Sequence, residues 1–590
     1  MDEGPPPAGR SWKNTLQKLR GRFKPEKNAA EVRVRRRRAM IQKLHQRLPF
    51  LKVLLFLVGY LWMVAIPYPD LGRTTYIDEN ALQPAQVSTY WDWADVHNAD
   101  RYLDDLERLG DRNASSAELS EFVKTEFQKS GLPAATQKYT FSVGSTNVTG
   151  VNAYAVSSSP RASGNEAIVI SASWIRRHEG GPTELNLRGV SAILALAKYL
   201  KGHSMWAKDL VFVVSDGYLD GMQAWLGSYH GSKQNNLQAE ELLYASGVIW
   251  NALSIDYACH SFSHLGVFHE GLNGRLPNQD LINSFERISR FTGGVPVVLY
   301  DHAKNVVRHV GYQGPGRPSG IHGLFHPYRI DAFTIYAVCA QGPHGFHALG
   351  RVVESTLRTM NNLLERLHAS FFFYILTDAT YFNKIGSYLP SAILVSVGMM
   401  FHGLDIWVMS GWRLEEQPSE KVSSSSQERG WVSRQRPVLH ALTIMMATHI
   451  LGALVFGSLS LDNWQTLAPI LFAVVAVVPL AALLLRSRHH SETAPVSTVL
   501  KALNLCFAST IISVISVLNF SLALLLAIAL GIPLAISTPS SRLVQYPAYI
   551  LLAAGWLLFL PEQTQSALWN WEVLSVWFAP VAAVVTLLPM

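Results

Sequence analysis

Residues 166–173 read EAIVISAS, residues 189–202 GVSAILALAKYLKG and residues 209–216 DLVFVVSD, and this alternation decides the fold of the largest polar part of the chain. Short runs of β-branched and apolar residues signal strands, and the stretch between them carries apolar residues at helical spacing. The pattern continues through GMQAWLGSYH (221–230) and ASGVIWNALSID (245–256). Strands separated by helices form mostly parallel sheets covered on both faces. In such sheets ligands collect beyond the carboxyl ends of the strands, so the residues ending these runs are the first candidates for chemistry.

On either side of this region the sequence turns apolar. A run at about 48–69 is long enough to cross a bilayer. It follows 47 charged, proline-containing residues with no small-residue cleavage site, so it reads as a retained signal anchor. Seven more candidate spans follow, at about 387–409, 438–458, 466–485, 499–518, 520–537, 545–561 and 572–589. The expected architecture is a polytopic α-helical membrane protein of about eight spans, with a large lumenal α/β domain between spans one and two. Its parts are a basic cytoplasmic tail (1–47), span one (48–69), the α/β domain (70–386) and a seven-span membrane domain (387–590).

Loop charges orient this scheme. Arg413, Lys421, Arg429, Arg434 and Arg436 lie between spans two and three, Arg486, Arg488 and Lys501 between spans four and five, and Arg542 between spans six and seven. The loops SLSLDNWQ (458–465) and PEQTQSALWNWE (561–572) have no Lys or Arg. By the positive-inside rule both termini are cytoplasmic and residues 70–386 are lumenal. The net charge of +7 is concentrated around RVRRRR (33–38), beside a span, where it is a topology signal. No aromatic-interleaved basic patch accompanies it, and nucleic acid is not expected as a partner.

A lumenal placement makes Asn113-Ala-Ser and Asn147-Val-Thr glycan acceptors. It also allows Cys259 and Cys339 to pair, although spacing leaves that open. The remaining Cys506 lies in an apolar run.

The order of strands and helices resembles the di-zinc aminopeptidase fold. That resemblance implies a His-x-Asp after one strand, a bridging Asp before the next helix, and paired Glu after another strand, holding two metals that activate a water. Here the first position reads SASW (Ser171–Trp174), and the bridging position falls near Leu185 or Asn186. Ser215 stands where the general base is expected, with Asp216 beside it. Asp256 and either His344 or His347 match later ligand positions, so Asp216, Asp256 and His344 are the residual metal candidates. No metal or other cofactor is expected. His260, His264 and His269 in CHSFSHLGVFHE (259–270) are spaced four and five apart among strand-like residues and read as packed or surface groups. Neither a Gly-x-Ser-x-Gly elbow nor a P-loop is present.

Five further strings occur together: TYIDENAL (75–82), WAKDLVFVV (206–214), EGLNGRLPNQDLIN (270–283), GIHGLFHPYRIDAFTI (320–335) and LLERLHASFFFYIL (363–376), with LNFSLALLLA (518–527) in the membrane half. As a set they resemble the GPI-anchor attachment family, the Gaa-type subunits of the glycosylphosphatidylinositol transamidase. The resemblance implies a complex of the endoplasmic reticulum membrane that removes a C-terminal signal from a precursor protein and joins the new carboxyl end to the ethanolamine of a GPI glycolipid. It places the Cys–His chemistry on a separate caspase-like subunit, so this chain is expected to be noncatalytic and to recruit or orient the lipid beside its partner subunits. The alternative is a metal-dependent membrane aminopeptidase or amide-forming enzyme using the lumenal domain.

A GPI lipid has its acyl chains in the bilayer and its head group just above. The expected glycolipid-binding residues are therefore Tyr76, Asp78, Glu79 and Asn80 beyond span one, His368 and Ser370 ahead of span two, and Asn519 between two spans. Phe371 to Phe373 are expected in the membrane interface, and Pro533 is expected to kink its helix.

Overall fold

The computed structural model describes residues 29–68, 71–144, 146–161, 164–177, 184–299, 310–311, 313–368, 373–414, 431–461, 463–464, 466–467, 470–471, 473–474, 492–536 and 560–586. The chain divides into two compact units, Met1–Leu54 and Leu55–Met590, with the boundary inside the first helix. That helix, α1 (Ala29–Ala65), contains the apolar stretch Arg47–Ala65.

Beyond it come β1 (Arg73–Thr74), α2 (Trp93–Asp111), α3 (Ser116–Lys129), β2 (Ala134–Val143), β3 (Thr146–Ser157), β4 (Glu166–Ser173), α4 (Leu187–Lys201), β5 (Asp209–Ser215), α5 (Asp220–Tyr229), β6 (Leu237–Ala239), β7 (Val248–Asp256) and β8 (Phe262–Phe268). Asp92 and Ser115 cap α2 and α3 through capping boxes with Asp95 and Glu118, which satisfies backbone N–H groups that a helix start leaves unpaired. Next are α6 (Gln279–Ile288), β9 (Val297–Leu299), β10 (Asp331–Cys339), α7 (Phe346–Asn361), β11 (Tyr374–Asp378) and β12 (Tyr381–Lys384).

Nine strands form one sheet in the order β6-β2-β3-β5-β4-β7-β10-β8-β9. Its centre, β5-β4-β7-β10, is parallel, as the strand and helix alternation predicts. Ile168, Ile170 and Ala172 of β4 pack with α2, α4 and α7 on one face, while Val169, Val211 and Val213 pack with α5 and the 321–332 segment on the other. Parallel register puts Ser173 opposite Ser215 and Asp256 opposite Tyr336, so the strand ends line up. Cys259 and Cys339 form a disulfide across this end, with Cα atoms 5.4 Å apart. The pairing that spacing left open is thereby made.

A second sheet, β1-β12-β11, has Arg73 opposite Phe382 and Thr74 opposite Tyr381. It joins the segment leaving α1 to the segment preceding α8 (Ile385–Ser410). Between residues 363–376 and span two stands a β-hairpin, in which Tyr374, Ile375 and Leu376 bury their side chains.

The membrane half continues with β13 (Trp412–Leu414), β14 (Trp431–Ser433), α9 (Val438–Ser458), α10 (Val496–Leu518), α11 (Phe520–Leu526), a π-turn at Ala527–Gly531, α12 (Ile532–Ile536), α13 (Pro561–Leu574) and α14 (Phe578–Thr586). Among the described residues four helices are long and apolar enough to cross a membrane: Arg47–Ala65, Ile385–Ser410, Val438–Ser458 and Val496–Leu518. A fifth is reached only if α13 and α14, bent by 119°, count as one span. Of the expected eight, four or five are thus met among the described residues. The candidates at 466–485 and 545–561 fall mostly outside the described residues.

Two other candidates differ in shape. The 520–537 stretch forms an apolar helix only over Phe520–Leu534, broken by its π-turn. The 572–589 stretch is broken at Ser575, which is left-handed (φ 56°). PEQTQSALWNWE, read as a loop, is most of α13: Pro561 suits a first helical turn, and Leu568, Val573 and Leu574 are buried. Close contacts set the helix packing. Ser396 of α8 and Ser509 of α10 each donate to the other's carbonyl, at 2.7 and 2.8 Å.

Candidate functional site

The strand ends come first because an α/β sheet places chemistry there. The Asp216 carboxylate accepts from the Ser116 hydroxyl, from the Val151 N–H at 3.2 Å and from the Gly217 N–H at 2.9 Å. Asp256 accepts from the Arg177 N–H at 3.0 Å. His344 is paired through its backbone with Phe262 and lies tilted against that ring, and burial pushes its imidazole down from the usual range. Asn186, near the expected bridging carboxylate, is fully buried. It donates to the carbonyls of Ser173 and Ile255 at 3.2 and 2.9 Å and accepts from the Tyr257 N–H. An amide thus ties β4 to β7 where a metal-bridging carboxylate would stand.

Two guanidinium groups stand at the same end. Arg176 donates to the Tyr336 hydroxyl at 2.8 Å, and Arg177 lies 3.8 Å over the Phe268 ring. A divalent cation beside them would meet like charge. Among the described residues no group of three His, Cys, Asp or Glu is arranged to hold a metal. The residues at this end do not fit the two zinc ions that the fold resemblance implies.

The membrane-proximal candidates lie elsewhere, around the start of α6. Its sequence, NQDLIN, begins with Asn278 as N-cap, accepting from the Asp280 N–H at 2.8 Å. The Asp280 carboxylate accepts from the backbone N–H groups of Asp78 and Glu79 at 3.1 and 3.0 Å. Asn283, one turn on, donates to the Tyr76 carbonyl at 2.7 Å, so the TYIDEN segment lies along the first turn of α6.

From the other side, the Asn278 amide donates to the His368 carbonyl at 2.7 Å, and the His368 ring nitrogen stands 3.1 Å from Glu79 Oε2. Two segments 289 positions apart therefore meet. Tyr374 anchors the hairpin beneath by donating to the Pro277 carbonyl at 2.9 Å. The backbone N–H of Asn278 donates to buried Asp331 at 2.7 Å. Burial raises the Asp331 carboxyl to about 6, against the pull of that N–H. Asp280 is raised for the same reason, opposed by its two backbone donors.

What stays open to solvent is polar and acidic: Asp78, Asn80, Glu365 and His368 are exposed, with Tyr76 at 47% exposure and Glu79 partly covered. A ring, three carboxylates and an imidazole can hydrogen-bond sugar hydroxyls and hold an ammonium group. Ser370, with Phe371 and Phe372, falls outside the described residues, and Phe373 is exposed. Asn519 joins a different set, donating to the Gln313 carbonyl at 2.8 Å. Asn278, Asp280 and Asn283, which assemble the site, are not among the residues that their place in the sequence marks as lipid contacts. The signal was present: an Asn two residues before an Asp, at the head of an apolar run, is a helix start.

A family model described as Gaa1-like, GPI transamidase component, matches residues 149–586. The chain belongs to this family. Its curated relatives include the GPI transamidase component gaa1 of Schizosaccharomyces pombe, 27% identical over 92% of this chain and 93% of that protein. Another is the GPI transamidase component GAA1 of Saccharomyces cerevisiae, 26% identical over 83% of this chain and 77% of its own length. Solved structures that are similar include a glutaminyl cyclase of Fimbriiglobus ruber (14% identity, TM-score 0.31, 47% of this chain and 98% of that one). The LapA aminopeptidase of Legionella pneumophila is similar at 11% identity and a TM-score of 0.33, covering 50% of this chain and 77% of its own.

Proposed function

We propose that this chain is a noncatalytic subunit of the GPI transamidase, resident in the endoplasmic reticulum membrane, and that it recruits or orients the GPI glycolipid at the start of α6. Membership of the Gaa1-like family supports the complex and the existence of other subunits, among which a caspase-like one supplies the nucleophile. The convergence of Tyr76–Asn80 with His368 supports the site. Both segments adjoin the β1-β12 pairing that links the exit of α1 to the start of α8, where a lipid head group would stand. Asp78, Glu79 and Glu365 suit the ethanolamine ammonium, and Tyr76 and Asn80 suit sugar hydroxyls. Ser370 belongs to the proposal as a contact further along the lipid, whereas Asn519 is buried with both amide atoms engaged by Gln313 and Leu522 and does not support a lipid contact. The precursor protein is a second partner that the same complex must present.

The test is Tyr76→Ala with His368→Ala in the purified complex. GPI binding and anchor attachment are expected to fall together by about tenfold or more, on the scale of one or two lost polar contacts, while subunit recovery stays unchanged. Normal binding with intact assembly would remove the head group from this site. The enzymatic alternative required Asp216, Asp256 and His344 to share a metal, and their separate engagements with backbone and ring partners do not support it.

A further inference from the structure

The string EGLNGRLPNQDLIN has two halves, and only the second builds the site above. In the first half Asn273 and Gly274 are both left-handed, at φ 57° and 81°. The Asn273 side chain accepts from the Trp577 N–H at 2.9 Å and donates to the Ser575 carbonyl at 3.1 Å. These are the residues at which α13 turns into α14 through 119°. Gly274 meets the other break. A Cβ built on it would stand 2.6 Å from the Asn519 side chain.

Asn519 separates α10 from α11. It accepts from the Leu522 N–H at 3.0 Å as the N-cap of α11 and donates to the Gln313 carbonyl at 2.8 Å. The two lumenal turns are themselves joined, because the Asn273 N–H donates to the Gly316 carbonyl at 2.9 Å. Gly316 is also left-handed, at φ 68°. On the same turn a Cβ at Gly314 would stand 2.6 Å from Leu525, and Val310 is buried in one cluster with Met63, Val395, Leu505 and Leu526.

A broken helix leaves N–H and C=O groups without partners inside the helix, and left-handed Asn and Ser cost on the order of 1 kcal/mol each. One corner of the α/β domain meets both breaks: at Ser575 the Asn273 side chain supplies the missing backbone partners, and at Asn519 the Gln313 carbonyl holds the side chain that caps α11. We propose that Asn273–Gly274, with the Gln313–Gly316 turn, is a clasp through which the α/β domain holds the breaks at Asn519 and Ser575 in one conformation. A movement of the domain is thereby passed to the membrane helices on both sides of it.

Amide hydrogen exchange on the full complex in nanodiscs tests this with Asn273→Ala. Exchange at residues 575–578 is expected to speed about tenfold, as for loss of a hydrogen bond. Residues 519–523, which the substitution does not touch, are expected to speed with them, while β4 and β5 keep their protection. Gly274→Ala, entering from the other side, is expected to loosen both breaks as well. Faster exchange confined to each substitution's own neighbour would show two independent contacts and overturn the clasp. If Asn273→Ala also unprotects β4 and β5, Asn273→Asp decides the matter, since it keeps the Trp577 acceptor and loses only the donor to Ser575.

Discussion

Asp331 shows how a single buried group sets up the site and limits it. Its carboxylate holds the N-cap of α6 in place, yet burial raises it to about 6. A raised carboxyl contributes stability that is complete below the unfolded value near 4 and is lost as pH rises through 6. The chain is therefore expected to lose up to about 3 kcal/mol of stability from this group between pH 4 and 7. Asp331→Asn keeps an oxygen to accept from Asn278 and removes the titration. Thermal melts of the two proteins at pH 4, 5, 6 and 7 should converge at low pH and separate in the variant's favour toward pH 7. Parallel melts would assign the pH dependence elsewhere. At this scale the sequence was only half legible. Tyr76, Glu79 and His368 stood out through their nearness to two spans, whereas Asp331 reads as an ordinary strand start, because burial and an N-cap partner come from residues far away in the chain.

Elements were legible where one period dominated. The alternation in residues 166–256 gave β4, β5 and β7 and the helices between them, since each strand is apolar on both faces and could lie only inside a covered sheet. Elements whose form depends on tertiary partners were not. Residues 561–574 contain Pro, Gln and Glu and resemble a loop until the α/β domain supplies a surface, where Gln234 donates to the Glu572 carbonyl at 2.8 Å. Ser575 carries no sign of a left-handed break. The crossing of α1 and α8 also depends on one small residue. A Cβ on Gly59 would lie 2.7 Å from Val395 Cγ2 and 3.0 Å from the Ser391 carbonyl. Gly59→Ala is expected to push these helices apart at a cost of about 1–3 kcal/mol. Thermal aggregation of the detergent-solubilised chain would read this as a lower midpoint, and an unchanged midpoint would mean that the helices separate freely here.

Taken as a whole, the molecule arranges its helix ends in two groups, and the grouping bears on orientation. On one end the Gln435 N–H donates to the Glu492 carbonyl at 3.0 Å, and Arg434 and Arg436 donate to the last carbonyls of α8 at 2.7 and 3.0 Å. The basic residues that the positive-inside rule assigns to the cytoplasmic side therefore also cap a helix, favourably placed at the negative end of its dipole. At the opposite end Asn519 meets Gln313 and Glu572 meets Gln234, so the turn at Asn519 and the 561–572 stretch, which has no Lys or Arg, lie against the α/β domain. Charge pattern and packing thus support the same proposal, a lumenal α/β domain with cytoplasmic termini. The sequons provide its test, since Asn113 and Asn147 are both exposed, Asn113 in a left-handed turn and Asn147 near the β2-β3 hairpin tip. Asn113→Gln and Asn147→Gln are each expected to remove one glycosidase-sensitive mobility step from the cellular protein. A sequon engineered into the SSSSQ stretch at 423–427 should add none. A glycan acquired there, with none at 113 or 147, would invert the topology and place the whole proposed lipid site on the wrong side of the membrane.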